Sequence, residues 1–156
     1  MNSILDAPVI TEQKLEYAGF WIRFVAYIID YIVLGVVDTV LSFAIIGSSM
    51  GMVMSDDYAG LGGMLAVYYL IVVVINLAYF VLLESSSRQA SLGKMAVGIK
   101  VGDELGQRIS GLNALGRSLS KLLSALILGI GYIMAAFDVR KQALHDKIAN
   151  TVVYYG

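Results

Sequence analysis

The hydrophobic pattern of the chain contains two long apolar segments. The first runs from about Phe24 to Ile46 and the second from Met64 to Leu83, and each is long enough to cross the hydrocarbon core of a bilayer as a helix. The second segment is rich in β-branched residues, but its length favours a helix over a strand. Gly47–Gly63, which separates them, is predicted to be a loop because it is rich in Gly, Ser and Met. The pattern therefore predicts two transmembrane helices.

The stretch after the second segment is more polar and contains one short apolar run, Met95–Val101. Turn residues follow this run at Gly102–Gly106, and Gln107–Ile109 then resumes it. The arrangement predicts a small β-hairpin or a re-entrant element at the surface, and the hairpin is adopted in the predicted fold.

Two further segments complete the pattern. Leucines at helical spacing make Leu112–Leu123 an amphipathic helix, which is expected to lie at the membrane interface. Ser124–Phe137 is apolar but is interrupted by Gly129 and Gly131, so it is predicted either to break and re-enter or to form a third span. The predicted fold class is an all-α membrane protein with a small cytoplasmic β-hairpin.

The composition supports the membrane class. Hydrophobic residues make up 58% of the chain and charged residues 15%, whereas soluble domains contain roughly 45–50% apolar residues. The chain has no cysteine, which excludes disulfides and thiolate metal sites. Residues 1–17 lack the basic start and short apolar core of a secretory signal, so we expect a flexible tail before one membrane domain at 18–153.

The distribution of basic residues predicts the orientation in the membrane. The stretch Arg88–Lys121 contains six basic residues, whereas Gly47–Gly63 contains none. Because the cytoplasmic loops of membrane proteins are enriched in Lys and Arg, the N-terminus and residues 84–121 are predicted to be cytoplasmic. We therefore expect a multi-pass protein of the cell membrane, meaning the inner or plasma membrane.

Charged residues lie in the first apolar segment and at its entrance. An aspartate near the middle of a spanning helix costs roughly 2.5–3.5 kcal/mol, so Asp30 and Asp38 are expected to face protein or a water-filled cavity. At 100° per residue, Arg23 and these two aspartates form one stripe of the helix. Tyr27 and Tyr31 fall in the same sector. The functional hypothesis is a proton or cation relay; the alternative is that the aspartates make structural pairs that fix helix packing.

Other polar residues add fewer possibilities. Asn76, in the second apolar segment, is expected to hydrogen-bond across helices. His145 precedes Asp146, but it is the only histidine, so a multi-histidine metal site is excluded and no metal is predicted. A Ser–His–Asp arrangement is not excluded by residue count, although the G-x-S-x-G nucleophile motif is absent from the sequence. We therefore do not expect an enzyme.

Four segments together carry a resemblance to a known family. They are AGFWIRFVAYIIDYIV at 18–33, SLGKMAVGIKVGDELG at 91–106, LGRSLSKLL at 115–123 and FDVRKQALHDKIANTVV at 137–153. In that order and spacing they resemble the RDD family of small membrane proteins, which is named for one arginine and two aspartates. The resemblance covers nearly the whole chain.

The resemblance implies roles for individual residues. The arginine of the family matches Arg23, and its first aspartate matches Asp30. Its second aspartate belongs to the C-terminal segment, where Asp138 and Asp146 both fit, and Asp146 is favoured. This match would bring the C-terminal segment back to the first helix, where Asp146 could pair with Arg23. Asp38 is not part of the family signature.

The resemblance also implies transport, with cation/proton exchange proposed for some members. We expect a small ion or solute transporter in which Asp30 carries the proton and Asp38 is a second station. Because two or three spans enclose little volume, the path is expected at the interface of a homo-oligomer. The expected partners are the bilayer and a monovalent cation or proton, without cofactor or nucleic acid. The alternative is a non-transporting membrane scaffold or accessory subunit whose charges are structural and whose basic surface binds a partner or anionic lipid.

Overall fold

Two long apolar helices form the main body of the structure, a computed structural model that describes residues 15–126 and 130–156. Helix α1 is Phe20–Met54 with 35 residues, and helix α2 is Tyr58–Glu84 with 27 residues. Both are long and apolar enough to cross a membrane. They pack against each other as an antiparallel pair, so the start of α1 and the end of α2 lie at the same end of the molecule.

The predicted loop Gly47–Gly63 is wrong, because α1 continues through Met54 and only residues 55–57 connect the two helices. The serines that favoured a loop are accommodated in the helix. Ser48 donates a hydrogen bond to the Ala44 carbonyl at 3.0 Å, and two other serines of this stretch bind carbonyls of the preceding turn in the same way. A serine whose hydroxyl binds a carbonyl of its own helix satisfies that donor inside the helix, so the residue does not require a loop.

The remaining elements form a compact assembly, which we call the platform, at the end of the molecule where α1 begins. Its elements, in chain order, are α3 (Leu92–Ala96), β1 (Ile99–Gly102), α4 (Gly111–Leu126), α5 (Ile130–Phe137), α6 (Leu144–Ile148) and β2 (Val152–Tyr155). Strands β1 and β2 pair antiparallel, with Ile99 opposite Tyr155 and Gly102 opposite Val152. The small apolar core of the platform includes Ile99, Val101 and Val153, which are buried between the sheet and the start of α1.

A small β element is therefore present, but the hairpin prediction named the wrong partner strand. The predicted turn exists, since the Gly106 amide donates to the Asp103 carbonyl at 3.0 Å. Gln107–Ile109 does not form a strand after the turn; β2 from the C-terminal segment pairs with β1 instead. The other edge of β2 carries a bridge between Tyr17 and Tyr154, so Tyr17, the last residue of the predicted flexible tail, is paired with the sheet. The rest of that tail, residues 1–14, lies outside the described residues.

The described parts of the third apolar segment do not form one continuous helix, because α5 packs back against α4, in agreement with the predicted break. Helix α4 ends at Leu126 and α5 begins at Ile130, and Gly129 lies outside the described residues. Helix α5 contains eight residues, too few to cross a bilayer. The Tyr132 hydroxyl donates to the Lys121 carbonyl at 3.3 Å, so α5 packs back along α4.

The exposed surface of the two long helices is apolar. Helix α1 buries only Ala26, Asp30 and Leu34, and α2 buries only Glu84. Large side chains such as Phe43 and Val73 are 70% and 60% exposed. Water would strongly disfavour such a surface, whereas a bilayer accepts it. The predicted class of all-α membrane protein is confirmed.

Candidate functional site

A fully buried arginine joins two fully buried carboxylates where the long helices meet the platform. Arg117 of α4 places Nη1 2.7 Å from Oε2 of Glu84 at the end of α2. Its Nε donates to Oδ1 of Asp146 in α6 at 2.9 Å. The guanidinium is a planar fork of five donors, so one side chain binds both carboxylates at once. Arg117 therefore ties three helices together.

Three more cations surround the same carboxylates. Lys94 of α3 lies 2.5 Å from Oε1 of Glu84, and Lys121 of α4 lies 3.2 Å from the same oxygen. Arg23 of α1 pairs with Oδ2 of Asp146 and also donates from Nε to the Ala18 carbonyl at 3.0 Å. We call these six side chains the charge cluster: Arg23, Glu84, Lys94, Arg117, Lys121 and Asp146. Within the described residues, four cations share two carboxylates.

The environment of the charge cluster shifts its proton affinities. Burial alone would raise the pKa of Asp146, but the Arg117 and Arg23 guanidiniums outweigh it and hold the pKa well below the usual range. Burial lowers the pKa of Lys94 to about 7, even though Glu84 opposes that shift. Burial would also lower the pKa of Arg117, but its two carboxylate partners raise it. At neutral pH the bridge between Arg117 and Asp146 is fully ionised.

His145 is buried beside the charge cluster as a neutral ring. Its Nδ1 lies 3.3 Å from the Ser124 hydroxyl, and its Nε2 lies 3.5 Å from Oδ1 of Asp146. Burial lowers the pKa of His145 to about 3, which outweighs the attraction of Asp146. Ser124 is itself fully buried and lies against Gly131 of α5, so this Ser–His–Asp arrangement is enclosed by protein.

We expect the folded state to lose stability as the pH falls from 6.5 to 5, by about 2 kcal/mol. The reason is that the unfolded chain protonates His145 near its ordinary pKa of 6.5, whereas the folded protein does not until its pKa of about 3. Asp146 acts in the same direction at lower pH, from the ordinary pKa of an aspartate downward, because its pKa in the folded protein is lowered. The measurement is the thermal unfolding midpoint in detergent at several pH values.

The matched variant for this experiment is His145→Gln, which removes the only histidine of the chain. Its unfolding midpoint should change little between pH 6.5 and 5. An equal slope in the variant and the wild type would contradict the assignment.

Asp30 is almost completely buried and binds three hydrogen-bond donors. It accepts from the Tyr79 hydroxyl at 2.6 Å and from the Ser91 hydroxyl at 2.6 Å. It also accepts from the backbone amide of Gly93 at 2.7 Å. A carboxylate bound to the first amides of a helix satisfies donors that lack an intrahelical partner. Asp30 on α1 therefore caps α3 and fastens it to α1.

Asp38 occupies a different environment from Asp30. It lies near the contact of α1 with α2, where the Tyr68 hydroxyl reaches the Asp38 backbone carbonyl at 3.4 Å. Its Oδ1 is buried and has no hydrogen-bond partner among the residues that the structure describes. Tyr27 and Tyr31 are 52% and 66% exposed, and the side-chain partners of Asp30 are Tyr79 and Ser91 instead. The predicted single stripe is thus divided into a capping aspartate, an aspartate with an oxygen that lacks a described partner and two exposed tyrosines.

Two other predicted residues make local contacts. Asn76 donates to the Val72 carbonyl of its own helix at 2.9 Å and, among the residues that the structure describes, makes no bond across helices, contrary to the expectation. Asp138 organises the turn before α6, where its carboxylate accepts from the amides of Arg140 and Gln142, each at 3.1 Å. It also pairs with Lys147, whose hydrogen bond lowers the pKa of Asp138. Asp146, in contrast, pairs with Arg23 as the resemblance implied.

Sequence reasoning missed Glu84, Lys94, Arg117 and Lys121. Helix α4 carried a signal that could have found two of them. Arg117 lies on the same face of α4 as Ala114 and Ser124, and all three are buried. Leu112 and Leu119 are 78% and 47% exposed on the other face. The polar face of this amphipathic helix therefore points into the protein and its leucine face points outward, which is the reverse of a soluble helix.

The fold and the charge cluster define a class: a small membrane protein in which buried ion pairs tie two apolar helices to the platform of short elements. The chain belongs to the RDD family, whose family model matches residues 17–150. The resemblance noted in the sequence is thereby confirmed.

Three relatives from Bacillus subtilis (strain 168) are similar over most of their length. The uncharacterized protein YxaI is 40% identical over 147 residues, which cover 88% of this chain and 97% of the relative. The uncharacterized membrane protein YteJ is 32% identical over 158 residues, with 96% and 86% covered. The uncharacterized protein YckC is 29% identical over 143 residues, with 88% and 84% covered. No solved structure gives a significant match.

Proposed function

We propose that the protein is a small transporter of protons or monovalent cations, with Asp38 as the carboxylate that binds the transported ion. The observation that carries this proposal is the buried Oδ1 of Asp38, which lacks a hydrogen-bond partner among the described residues. Asp38 is the nineteenth of the 35 residues of α1, about 27 Å along the helix axis from its start. Ionisable residues at such depth are costly and commonly mark ion or proton pathways.

The roles of the two aspartates differ from the sequence expectation that Asp30 is the carrier. The carboxylate of Asp30 already accepts three hydrogen bonds, and Gly93 packs directly against it. A cation or incoming proton would have to displace a donor there. Asp38 has an oxygen that can accept a proton or a cation without breaking a bond. Asp30 acts in this proposal as a positioning residue that holds α3 against α1.

The proposed arrangement is a multi-pass homo-oligomer of the cell membrane with a cytoplasmic N-terminus. Two helices cannot surround a path by themselves, so the path would lie between copies. The connection between the helices contains Asp56 and Asp57 but no basic residue, whereas the platform carries Arg88, Arg108 and Lys141. The enrichment of basic residues on the cytoplasmic side supports this orientation.

The test is ion flux in vesicles that contain the purified protein and a pH-sensitive dye. A K⁺ or Na⁺ gradient is imposed, and the change of internal pH is followed. We expect Asp38→Asn to lower the rate at least about tenfold, because an amide cannot carry a proton at this position.

The matched control is Asp56→Asn, which neutralises an exposed aspartate in the connection after α1. The backbone of Asp56 is left-handed, with φ of 55°, and this conformation also suits asparagine. This control should retain the wild-type rate. Flux equal to that of empty vesicles, or unchanged flux in Asp38→Asn, would overturn the transport proposal.

The second candidate function is a non-transporting scaffold or accessory subunit. The observation that favours it is the charge cluster itself, whose ion pairs form within one chain and hold helix ends together. In that case the variants of Asp30 and Asp38 would change thermal stability or oligomer yield, and no protein in the series would move ions.

A further inference from the structure

An open groove of about 410 Å³ lies beside the first two turns of α1, where the helix meets strand β2. Phe20, Trp21 and Val25 form its apolar floor, and Lys141 and Tyr155 stand at its platform end. Among the described residues that line it, Lys141 carries the only charge. The groove thus combines an apolar surface with one cationic end.

The position of Lys141 is set by its turn. Its backbone is left-handed, with φ of 52°, and its amide donates to the Asp138 carbonyl at 3.0 Å. The side chain crosses over Gly19, and its Nζ donates to the Tyr17 carbonyl at 2.9 Å. An ammonium group has three donors, and the described residues use one of them. The charge is therefore held at the mouth of the groove.

The apolar floor continues along α1 beyond the groove. Trp21, Val25, Ile28 and Ile32 recur at spacings of four, three and four, and they are 76%, 47%, 40% and 60% exposed. This spacing places them on one face of the helix. A single apolar stripe therefore leads from Lys141 along the candidate span and toward its middle.

We propose that this groove and stripe bind one anionic phospholipid, with its phosphate at Lys141 and an acyl chain along the stripe. A phospholipid is the ligand that matches both parts, because it joins an anionic head to a long apolar chain. A free phosphate would leave the stripe uncovered. The aromatic floor at Phe20 and Trp21 suits the depth of the headgroups, where such side chains are enriched in membrane proteins. The lone lysine, with no acidic residue among the lining side chains, favours a net negative headgroup over a zwitterionic one.

Trp21 is the only tryptophan of the chain, so its fluorescence reports this groove directly. The protein is placed in nanodiscs of phosphatidylglycerol and phosphatidylcholine in two parallel samples. In one sample the phosphatidylglycerol is brominated near the top of its acyl chains, and in the other the phosphatidylcholine is. Bromine quenches tryptophan at short range. The ratio of quenching by the two brominated lipids gives the local enrichment of the anionic lipid. We expect about fivefold enrichment, which corresponds to about 1 kcal/mol for one basic residue at an anionic surface.

The decisive variant is Lys141→Gln, which should reduce the enrichment to about one while its unfolding midpoint stays within a few degrees of wild type. Arg140→Gln is the matched control: it removes the neighbouring cation, which pairs with Glu104 at 2.6 Å and does not line the groove. This control should keep the enrichment. Equal quenching by the two lipids in the wild type, or enrichment that survives Lys141→Gln, would overturn the proposal. Weak quenching by both lipids would also overturn the proposal, because it would mean that a second copy of the chain, and not a lipid, covers Trp21.

Discussion

Replacement of Arg117 by methionine should remove most of the stability of the platform. The variant leaves the buried carboxylates of Glu84 and Asp146 without their shared partner. Loss of one member of a buried ion pair typically costs about 3–5 kcal/mol, because the remaining charge stays buried. We expect the unfolding midpoint in detergent to fall by about 10 °C. The measurement is thermal unfolding of the purified protein, followed by circular dichroism.

Two further variants sharpen this experiment. Arg117→Lys keeps the charge but cannot bind both carboxylates with a planar fork, so its midpoint should lie between those of the wild type and Arg117→Met. Arg88→Met removes an exposed arginine whose described side-chain contact is the Met95 sulfur at 3.7 Å. It should leave the midpoint nearly unchanged. If Arg88→Met and Arg117→Met destabilised equally, the charge cluster would not hold the platform together.

Gly93→Ala is expected to separate α3 from α1. A Cβ at this position would lie 2.8 Å from the Asp30 carboxyl carbon and would also clash with the Ala26 backbone carbonyl. Neither a helix backbone nor a carboxylate bound by three donors can move aside easily. We expect a loss of about 3 kcal/mol, at the upper end of the usual overpacking range. The measurement is again the unfolding midpoint in detergent.

The control for this substitution is Gly116→Ala in α4, where a Cβ would meet nothing within 4 Å. It should be neutral or stabilise the helix by up to about 1 kcal/mol, since alanine is the better helix former. The double variant of Gly93→Ala with Asp30→Asn provides a second test. Because the two residues touch, the loss of stability in the double variant should be smaller than the sum of the two single losses. Full additivity would show that Asp30 does not position α3.

The Arg23–Asp146 pair that the family resemblance implied is not an isolated ion pair. The pair is one edge of a six-residue network in which Arg117 is the central member. The network joins the start of α1, the end of α2 and helices α3, α4 and α6 of the platform. It therefore acts as the structural connection between membrane helices and platform, whereas the proposed transport depends on Asp38, which lies outside it.

The sequence by itself determined the parts of this protein that depend on local pattern. The two apolar helices followed from segment length, because a bilayer requires about 20 apolar residues per helical span. The amphipathic helix α4 followed from the spacing of its leucines, and the glycines of the third apolar segment indicated that it would not form one continuous helix. The pairing of Arg23 with Asp146 followed from family motifs, which record contacts between distant parts of a chain.

Only the tertiary structure decided which distant residues meet. Asp30 and Asp38 look alike in sequence, yet one caps α3 and the other keeps a buried oxygen without a described partner. Strand β1 pairs with β2, fifty residues further along, although a local hairpin matched the pattern equally well. Lys94 gave no sign of burial, and the polar face of α4 pointed to Arg117 and Lys121 without identifying their partners, because the energy that permits burial comes from Glu84 and Asp146 on other helices. Periodicity encodes neighbours within a turn or along a strand; burial of a charge depends on partners that only the folded chain brings within about 3 Å.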